Sequence, residues 1–349
     1  MSPKLTQTVS CAGCAAKVDP VFLQQVLRQI TWPQDERVLV GFGDSDDAGV
    51  FAQADGSALV ATTDFFTPIV DDPYTYGAAA AANALSDIYA MGASPLYALS
   101  IVHYPESLGA EVLTQVLQGA ADICAQAACP IIGGHSIRCE QMSFGLAITG
   151  RLEPGQSAIT NGGARPGDAL ILSKALGTGI LATALKKDCL DTTGAQALAA
   201  SLTRLNAHAG SCLHRYQIRA ATDITGFGLV GHAAELASAS AAHLRIYGPR
   251  LPLLPGLADA IAAGCLTRGD HGNPRYAGER LRLDQDLDPI QRHAACDPQS
   301  SGGLLMAVAQ EQVQDLLADL HAGGDTVAAI IGEVVEGPTH VEILSSVPA

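Results

Sequence analysis

Apolar and polar positions in this chain change rhythm repeatedly, between a period near 3.6 and a period near 2. Val21, Phe22, Leu27 and Ile30 follow Asp19-Pro20, an N-cap with a first-turn proline, and predict an amphipathic helix to about residue 30. Arg37 to Gly41 reads as a strand, the Asp-rich stretch Gly43 to Gly49 as a turn, and Val50 resumes a strand. A third apolar run from Ser57 to Thr63 ends at Asp64. The pattern then predicts a helix over 75–91, a strand over 95–103, a helix over 108–128, a short buried strand over 130–134 and a strand over 144–151.

Residues 152–167 hold Pro154, Gly155, Gly162, Gly163, Pro166 and Gly167, which marks the best candidate boundary. Beyond it the pattern predicts strands over 169–173, 221–225, 243–247, 304–309, 327–332 and 339–344. Helices are expected over 178–187, over 194–216 as one long element, from about 228, over 256–263 and over 311–322. Two α/β or α+β domains follow, divided as 1–157 and 158–349. No internal repeat or low-complexity segment interrupts them.

Composition narrows the function. Of 349 residues, 48% are hydrophobic and 16% charged, enough apolar material for large cores. A formal net charge of -15, from 35 acidic and 20 basic residues, argues against a nucleic-acid surface. It leaves room for a nucleotide, because Mg²⁺ bridges carboxylates to phosphates. The nine cysteines are odd in number and scattered, unlike a disulfide framework. No apolar signal core is seen, and no apolar run reaches the roughly 20 residues needed to span a bilayer, so a cytoplasmic protein is expected.

Several short stretches could carry chemistry. Cys11-Ala12-Gly13-Cys14-Ala15-Ala16-Lys17 sets a thiol three residues from an ammonium, which favours the nucleophilic thiolate. No second ligand pair follows at zinc spacing, and catalytic, redox and structural readings of Cys11 and Cys14 stay open on the residues alone. Asp44, Asp46 and Asp47 sit in a glycine-flanked turn that lacks the fifth and twelfth ligands of an EF-hand. Asp64 ends an apolar strand. Asn83 and Asp87, four apart, share a face of an otherwise apolar helix, where a carboxylate needs a partner or a metal. Gly133-Gly134-His135-Ser136 follows a strand and could offer backbone N–H groups to phosphate. Asp223 precedes Gly226-Phe227-Gly228, and Asp297 to Gly303 reads as a structural turn before a strand. No Walker A loop occurs, so nucleotide chemistry would need carboxylate-bound Mg²⁺ in place of a P-loop lysine.

Taken in order, Gly13-Cys14-x-x-Lys17, Asp46-Asp47-Ala48, Thr62 to Phe66, Asn83 to Gly92, Gly133 to Ser136, Thr222 to Gly228 and Asp297 to Gly303 resemble the selenophosphate synthetase (selenide, water dikinase) family. That family lies within the aminoimidazole-ribonucleotide-synthetase-like (PurM-like) superfamily. The resemblance implies ATP, selenide and water as substrates, and selenophosphate, AMP and orthophosphate as products. It implies Cys14 and Lys17 as the catalytic pair on a flexible segment, residues 1–18. It implies Asp46, Asp64, Asp87 and Asp223 as carboxylates that hold Mg²⁺. Nucleotide contacts would come from Lys17, Gly43, Asp44, Ser45, Asp64, Asp87, Gly134, His135 and Ser136. It further implies a homodimer in which N-terminal α/β domains pair into a barrel with α+β domains behind. A monovalent cation and a selenium-delivery protein are additional possible partners. A kinase of the same superfamily acting on a carbon substrate, and a thiol- or metal-binding module built on Cys11 and Cys14, are the alternatives.

Overall fold

The structure is a computed structural model and describes residues 4–9, 20–27, 29–41 and 46–348. The expected sites Cys11, Cys14, Lys17, Gly43, Asp44 and Ser45, and the expected N-cap Asp19, lie outside the described residues.

After helix α1 (Pro20–Leu27), one sheet is built from β1 (Val38–Val40), β2 (Gly49–Ala52), β3 (Ala58–Phe66), β4 (Ser94–Tyr104), β5 (Ile131–Arg138) and β6 (Ser143–Leu152). Its order is β1-β2-β3-β6-β4-β5, antiparallel except where β4 meets β5. Helix α2 (Pro73–Ala90) packs on one face, and α3 (Gly109–Gln126) packs against α2. Asp72 caps α2 by accepting from the Thr75 N–H, with Pro73 in the first turn. α2 and α3 touch backbone to backbone: a Cβ on Gly77 would stand 1.9 Å from the Val116 oxygen, and one on Gly119 would stand 2.0 Å from the Tyr74 oxygen. Only glycine permits that approach at both positions. The sheet's other face is open, with Phe65, Leu99 and Ile132 at 45%, 41% and 62% exposure.

Residues 153–167 lead to a second, seven-stranded sheet. Its elements are β7 (Asp168–Leu172), α4 (Thr178–Lys186), α5 (Thr192–Thr203), α6 (Ala207–Arg215), β8 (Ala220–Asp223), α7 (Gly228–Ser240), β9 (His243–Tyr247), α8 (Leu257–Ala262), α9 (Gly269–Ala277), β10 (Leu281–Leu283), α10 (Pro289–Cys296), β11 (Leu304–Ala309), α11 (Val313–Ala322), β12 (Ala329–Val335) and β13 (His340–Leu344). The order is β10-β13-β9-β12-β7-β11-β8. β7, β8 and β11 are buried along their whole length and form the floor of this domain.

Three expectations need correction. The long helix over 194–216 is two helices, because Arg204 is extended and Asn206 turns its side chain inward to Ser86 and the Gly302 carbonyl. α9, β10 and α10 have no counterpart in the hydrophobic pattern. Gly133 to Ser136 is not a loop after a buried strand: it lies inside β5, an eight-residue edge strand exposed from Ile132 onward. Gly134 serves strand approach, since a Cβ there would lie 2.2 Å from the Ser100 oxygen.

α2 is shared between the two halves. Its C-terminal end receives Ile159 N–H on the Met91 carbonyl at 3.1 Å, and His214 Nε2 lies 3.0 Å from the Gly92 carbonyl. Gly210 presses against Tyr89, where an added Cβ would be 2.8 Å from the tyrosine Cβ. Residues on the last turns of α2 therefore face both domains.

Candidate active site between the two domains

The site grows from the match between a strand and a helix. Along β3, Thr62 and Asp64 point to the same face, about 6.6 Å apart. Along α2, Asn83 and Asp87 are one turn apart, about 6 Å. The two spacings mesh with the elements running oppositely. Asn83 Nδ2 donates to Asp64 Oδ2 at 2.7 Å, and the Thr62 hydroxyl donates to Asp87 Oδ2. Asn83 is fully buried and Asp64 is 8% exposed, so this is a desolvated, hydrogen-bonded carboxylate.

The second domain completes the cluster. β8 ends at Asp223, which is 1% exposed, and Thr222 Oγ1 donates to Asp47 Oδ1 at 2.9 Å. Burial, then the nearby charges of Asp223 and Asp87, push the Asp47 carboxyl well above the usual carboxylate range. Asp46 accepts from the Asn161 N–H at 2.8 Å, tying the same turn to the interdomain segment. Asp46 and Asp47 also line a cleft of about 640 Å³ on the open face of the first sheet, with Thr62, Thr63, Leu99 and Thr149.

Four of the expected sites thus converge near one interface: Asp46, Asp64, Asp87 and Asp223. Reading the sequence missed Asp47, Thr222 and Thr62 as members. The Asp46-Asp47 doublet itself held the signal, since both carboxylates of the turn find partners, Asn161 N–H and the Thr222 hydroxyl. Gly134, His135 and Ser136 are not brought to the cluster within this chain. Asp64, Leu146, Ser100 and Gly134 form one row across β3, β6, β4 and β5, which separates Gly134 from Asp64 by about 14 Å, three strand spacings.

The Asp297 turn organises the site from behind. Asp297 Oδ2 accepts from the first N–H groups of α4, Gly179 at 2.9 Å and Ile180 at 3.0 Å, and burial pushes its carboxyl up to about 7. Ser301 N–H donates to Asn83 Oδ1 at 2.8 Å, linking the turn to the Asp64 partner. The described start of the chain is anchored nearby: Leu5, Thr6 and Val9 are buried, Thr6 N–H donates to Asp71 at 3.0 Å, and Lys186 Nζ donates to the Val9 carbonyl at 2.9 Å. Elsewhere, His208, Cys212 and Asp319 have ligand atoms within 4.8 Å of one another. Arg215 and Tyr216 both bond the Asp319 carboxylate, so this group is an ion-pair knot between α6 and α11. Among the described residues the cysteines are free thiols, and no helix is long and apolar enough to cross a membrane.

Two family models match the chain: the AIR synthase related N-terminal domain over residues 45–152, and the corresponding C-terminal domain over residues 165–345. A selenide, water dikinase of Burkholderia ambifaria is 42% identical over 343 residues, covering 98% of this chain and 97% of the relative. One from Myxococcus xanthus is 40% identical with the same coverage. The chain belongs to the selenide, water dikinase family. ATP-dependent synthesis of selenophosphate is the activity that goes with that membership. Solved structures agree on the fold. Thiamine monophosphate kinase from Aquifex aeolicus superposes with a TM-score of 0.67 at 20% identity, over 93% of this chain and 95% of that one. The hydrogenase maturation protein HypE in complex with ATP gives 0.62 at 21% identity, over 82% and 81%. The PurM-like two-domain fold of a selenide, water dikinase is therefore established for this chain.

Proposed function

We propose that the interdomain acid cluster seats Mg–ATP for the conversion of ATP, selenide and water to selenophosphate, AMP and orthophosphate. Asp46, Asp64, Asp87 and Asp223 are the Mg²⁺ ligands in this reading, with Asp47 as a fifth carboxylate. The observation that carries it is the crowding of Asp47, Asp87 and Asp223, with its effect on the Asp47 carboxyl. An all-oxygen, like-charged donor set fits a hard divalent cation. Bound Mg²⁺ reverses the local sign and neutralises the phosphates.

The chain's own residues have separate tasks. Asn83 and Thr62 hold Asp64 and Asp87 in fixed rotamers. Thr222 and the Asn161 N–H hold the two carboxylates of the 46–47 turn. The buried segment at Thr6 and Val9 roots the N-terminal arm. On that arm, Lys17 binds phosphate oxygens and offsets charge as the γ-phosphoryl group departs, and Cys14 orients the selenide anion. Gly43, Asp44 and Ser45 contact the nucleotide from the same turn as Asp46.

Gly134, His135 and Ser136 contact nucleotide in a homodimer. Their distance from Asp64 within one chain, and the apolar open face bearing Phe65, Leu99 and Ile132, support pairing of two such faces into a barrel. Leu99→Glu is expected to yield monomers in sedimentation velocity. The reading places the enzyme in the cytoplasm, with the domain division near residue 158. A monovalent cation and a selenium-delivery protein are further components it accommodates.

Phosphorus NMR of the protein with ATP, Mg²⁺ and selenide under argon tests the reading. A selenium-coupled phosphate signal together with AMP is expected. ADP as the final product would favour a kinase acting on a carbon substrate. Cys14→Ser and Lys17→Ala are each expected to abolish selenide-dependent AMP formation.

A further inference from the structure

Behind the acid cluster lies a lysine that the mechanism above does not use. Lys174 lies two residues after β7 and is 2% exposed. Its Nζ donates to the Ser301 carbonyl at 2.8 Å and to the Arg204 carbonyl at 2.6 Å. Burying an ammonium is expensive even when it is hydrogen-bonded, so its placement calls for a reason.

The reason can be traced bond by bond. Ser301 has a left-handed backbone (φ 49°), rare for a residue with a side chain. In that conformation its carbonyl meets Lys174 while its N–H meets Asn83 Oδ1 at 2.8 Å. Once Asn83 Oδ1 is committed to Ser301, its Nδ2 must face Asp64, and it donates to Asp64 Oδ2 at 2.7 Å. A flipped amide would set oxygen against carboxylate and NH₂ against N–H, two repulsive contacts. Asn206 braces the same turn, donating to the Gly302 carbonyl and to Ser86, each at 2.8 Å. Lys174, Ser301, Asn83 and Asp64 are all buried, so water does not screen or replace these bonds.

We propose that Lys174 is a positioning residue for Asp64, fixing the rotation of its carboxylate through Ser301 and Asn83 from the opposite domain. This rests on the Mg–ATP reading of the cluster. It adds that the second domain sets the aim of a first-domain ligand along a dry chain of hydrogen bonds.

The test uses Mn²⁺ as the probe, its binding measured by electron paramagnetic resonance on the full chain with a non-hydrolysable ATP analogue. Lys174→Met and Asn83→Leu are each expected to weaken Mn²⁺ binding about tenfold. The double variant should weaken it by about the same factor as either single one, because both break one chain. Lys174→Gln, which keeps a donor, should recover part of the loss, and it replaces Lys174→Met in the cycle should the latter not fold. Multiplying effects near a hundredfold, or wild-type Mn²⁺ binding in folded Lys174→Met, would overturn the positioning role; if only Lys174→Gln folds, wild-type binding in it does so. Asp64→Asn separates the two readings. Weakened binding there, with Lys174 variants unaffected, removes only the lysine's role. Wild-type binding in Asp64→Asn removes the cation seat and the proposal with it.

Discussion

The two sides of the acid cluster are built on opposite rules. On the β3–α2 side each carboxylate is met by a donor, Asp64 by Asn83 and Asp87 by Thr62. On the β8 side carboxylates meet one another. Asp47 accepts from Thr222, yet burial and the charges of Asp223 and Asp87 drive its carboxyl up. The first side is organised before any ligand arrives. The second is held against its own repulsion by the packing of two domains, and a bound cation would relieve it. The contrast separates residues that aim the site from residues that create its demand for metal.

The largest expected effect tests the repulsive side. Asp223→Asn should lower kcat/KM for ATP about a thousandfold, roughly 4 kcal/mol of transition-state stabilisation, measured by AMP formation. In metal-free protein the same change should raise Tm by about 1–2 °C, as expected for relief of about 1 kcal/mol of repulsion in a chain of this length. Loss of activity together with gain of stability would sharpen the contrast, and loss of both would break it.

The organised side should respond with the opposite sign. Asn83→Leu strands the Ser301 N–H and one Asp64 oxygen in a buried setting, which costs about 2–3 kcal/mol. Urea unfolding of metal-free protein should show that loss, and a neutral result would mean that the strand–helix match is not what holds Asp64.

A smaller effect concerns pH. Burial outweighs the other influences on Lys174 and lowers its ammonium to about 7; Asp325 and Asp223 oppose the shift, and Arg204 adds to it. The unfolded chain keeps that proton up to about 10.4, so between these values the unfolded state binds more protons and stability rises with pH. The limiting slope is about 1.4 kcal/mol per pH unit. Urea titrations from pH 7.5 to 9.5 should show it as a difference between wild type and Lys174→Met, which lacks the titrating group. The smallest effect is expected at the arm's root. Lys186→Met removes the bond to the Val9 carbonyl and should raise KM for ATP about threefold with kcat nearly unchanged, as for a modest hydrogen bond.

Much of this site was legible in the residues. Asn83 with Asp87 on one helical face is a local pattern, and the chain keeps it where spacing puts it; Asp64 keeps its buried face, but its strand runs two residues further than the apolar run suggests, to Phe66. What escaped was set by partners distant in sequence. The helix expected across 194–216 breaks because Asn206 finds Ser86 and Gly302, contacts that no local pattern encodes. The Gly133-Gly134 pair looked like a loop because glycine usually marks one, yet it lies in a strand, and at Gly134 β4 comes close enough that only glycine fits. Asp47 was overshadowed by Asp46, because a turn offers both side chains and only the fold decides which one meets Asp223. Lys174 gave no signal: its meaning comes from Ser301, Asn83 and Asp64, brought together by domain packing.

The most direct measurement of the central claim is anomalous diffraction from crystals grown with Mn²⁺ and a non-hydrolysable ATP analogue. The account predicts manganese peaks within coordination distance of Asp87 and Asp223, bridging to the analogue's phosphates, with Asp64 still bonded to Asn83. Manganese bound away from these carboxylates, or phosphates seated elsewhere on the molecule, would contradict it.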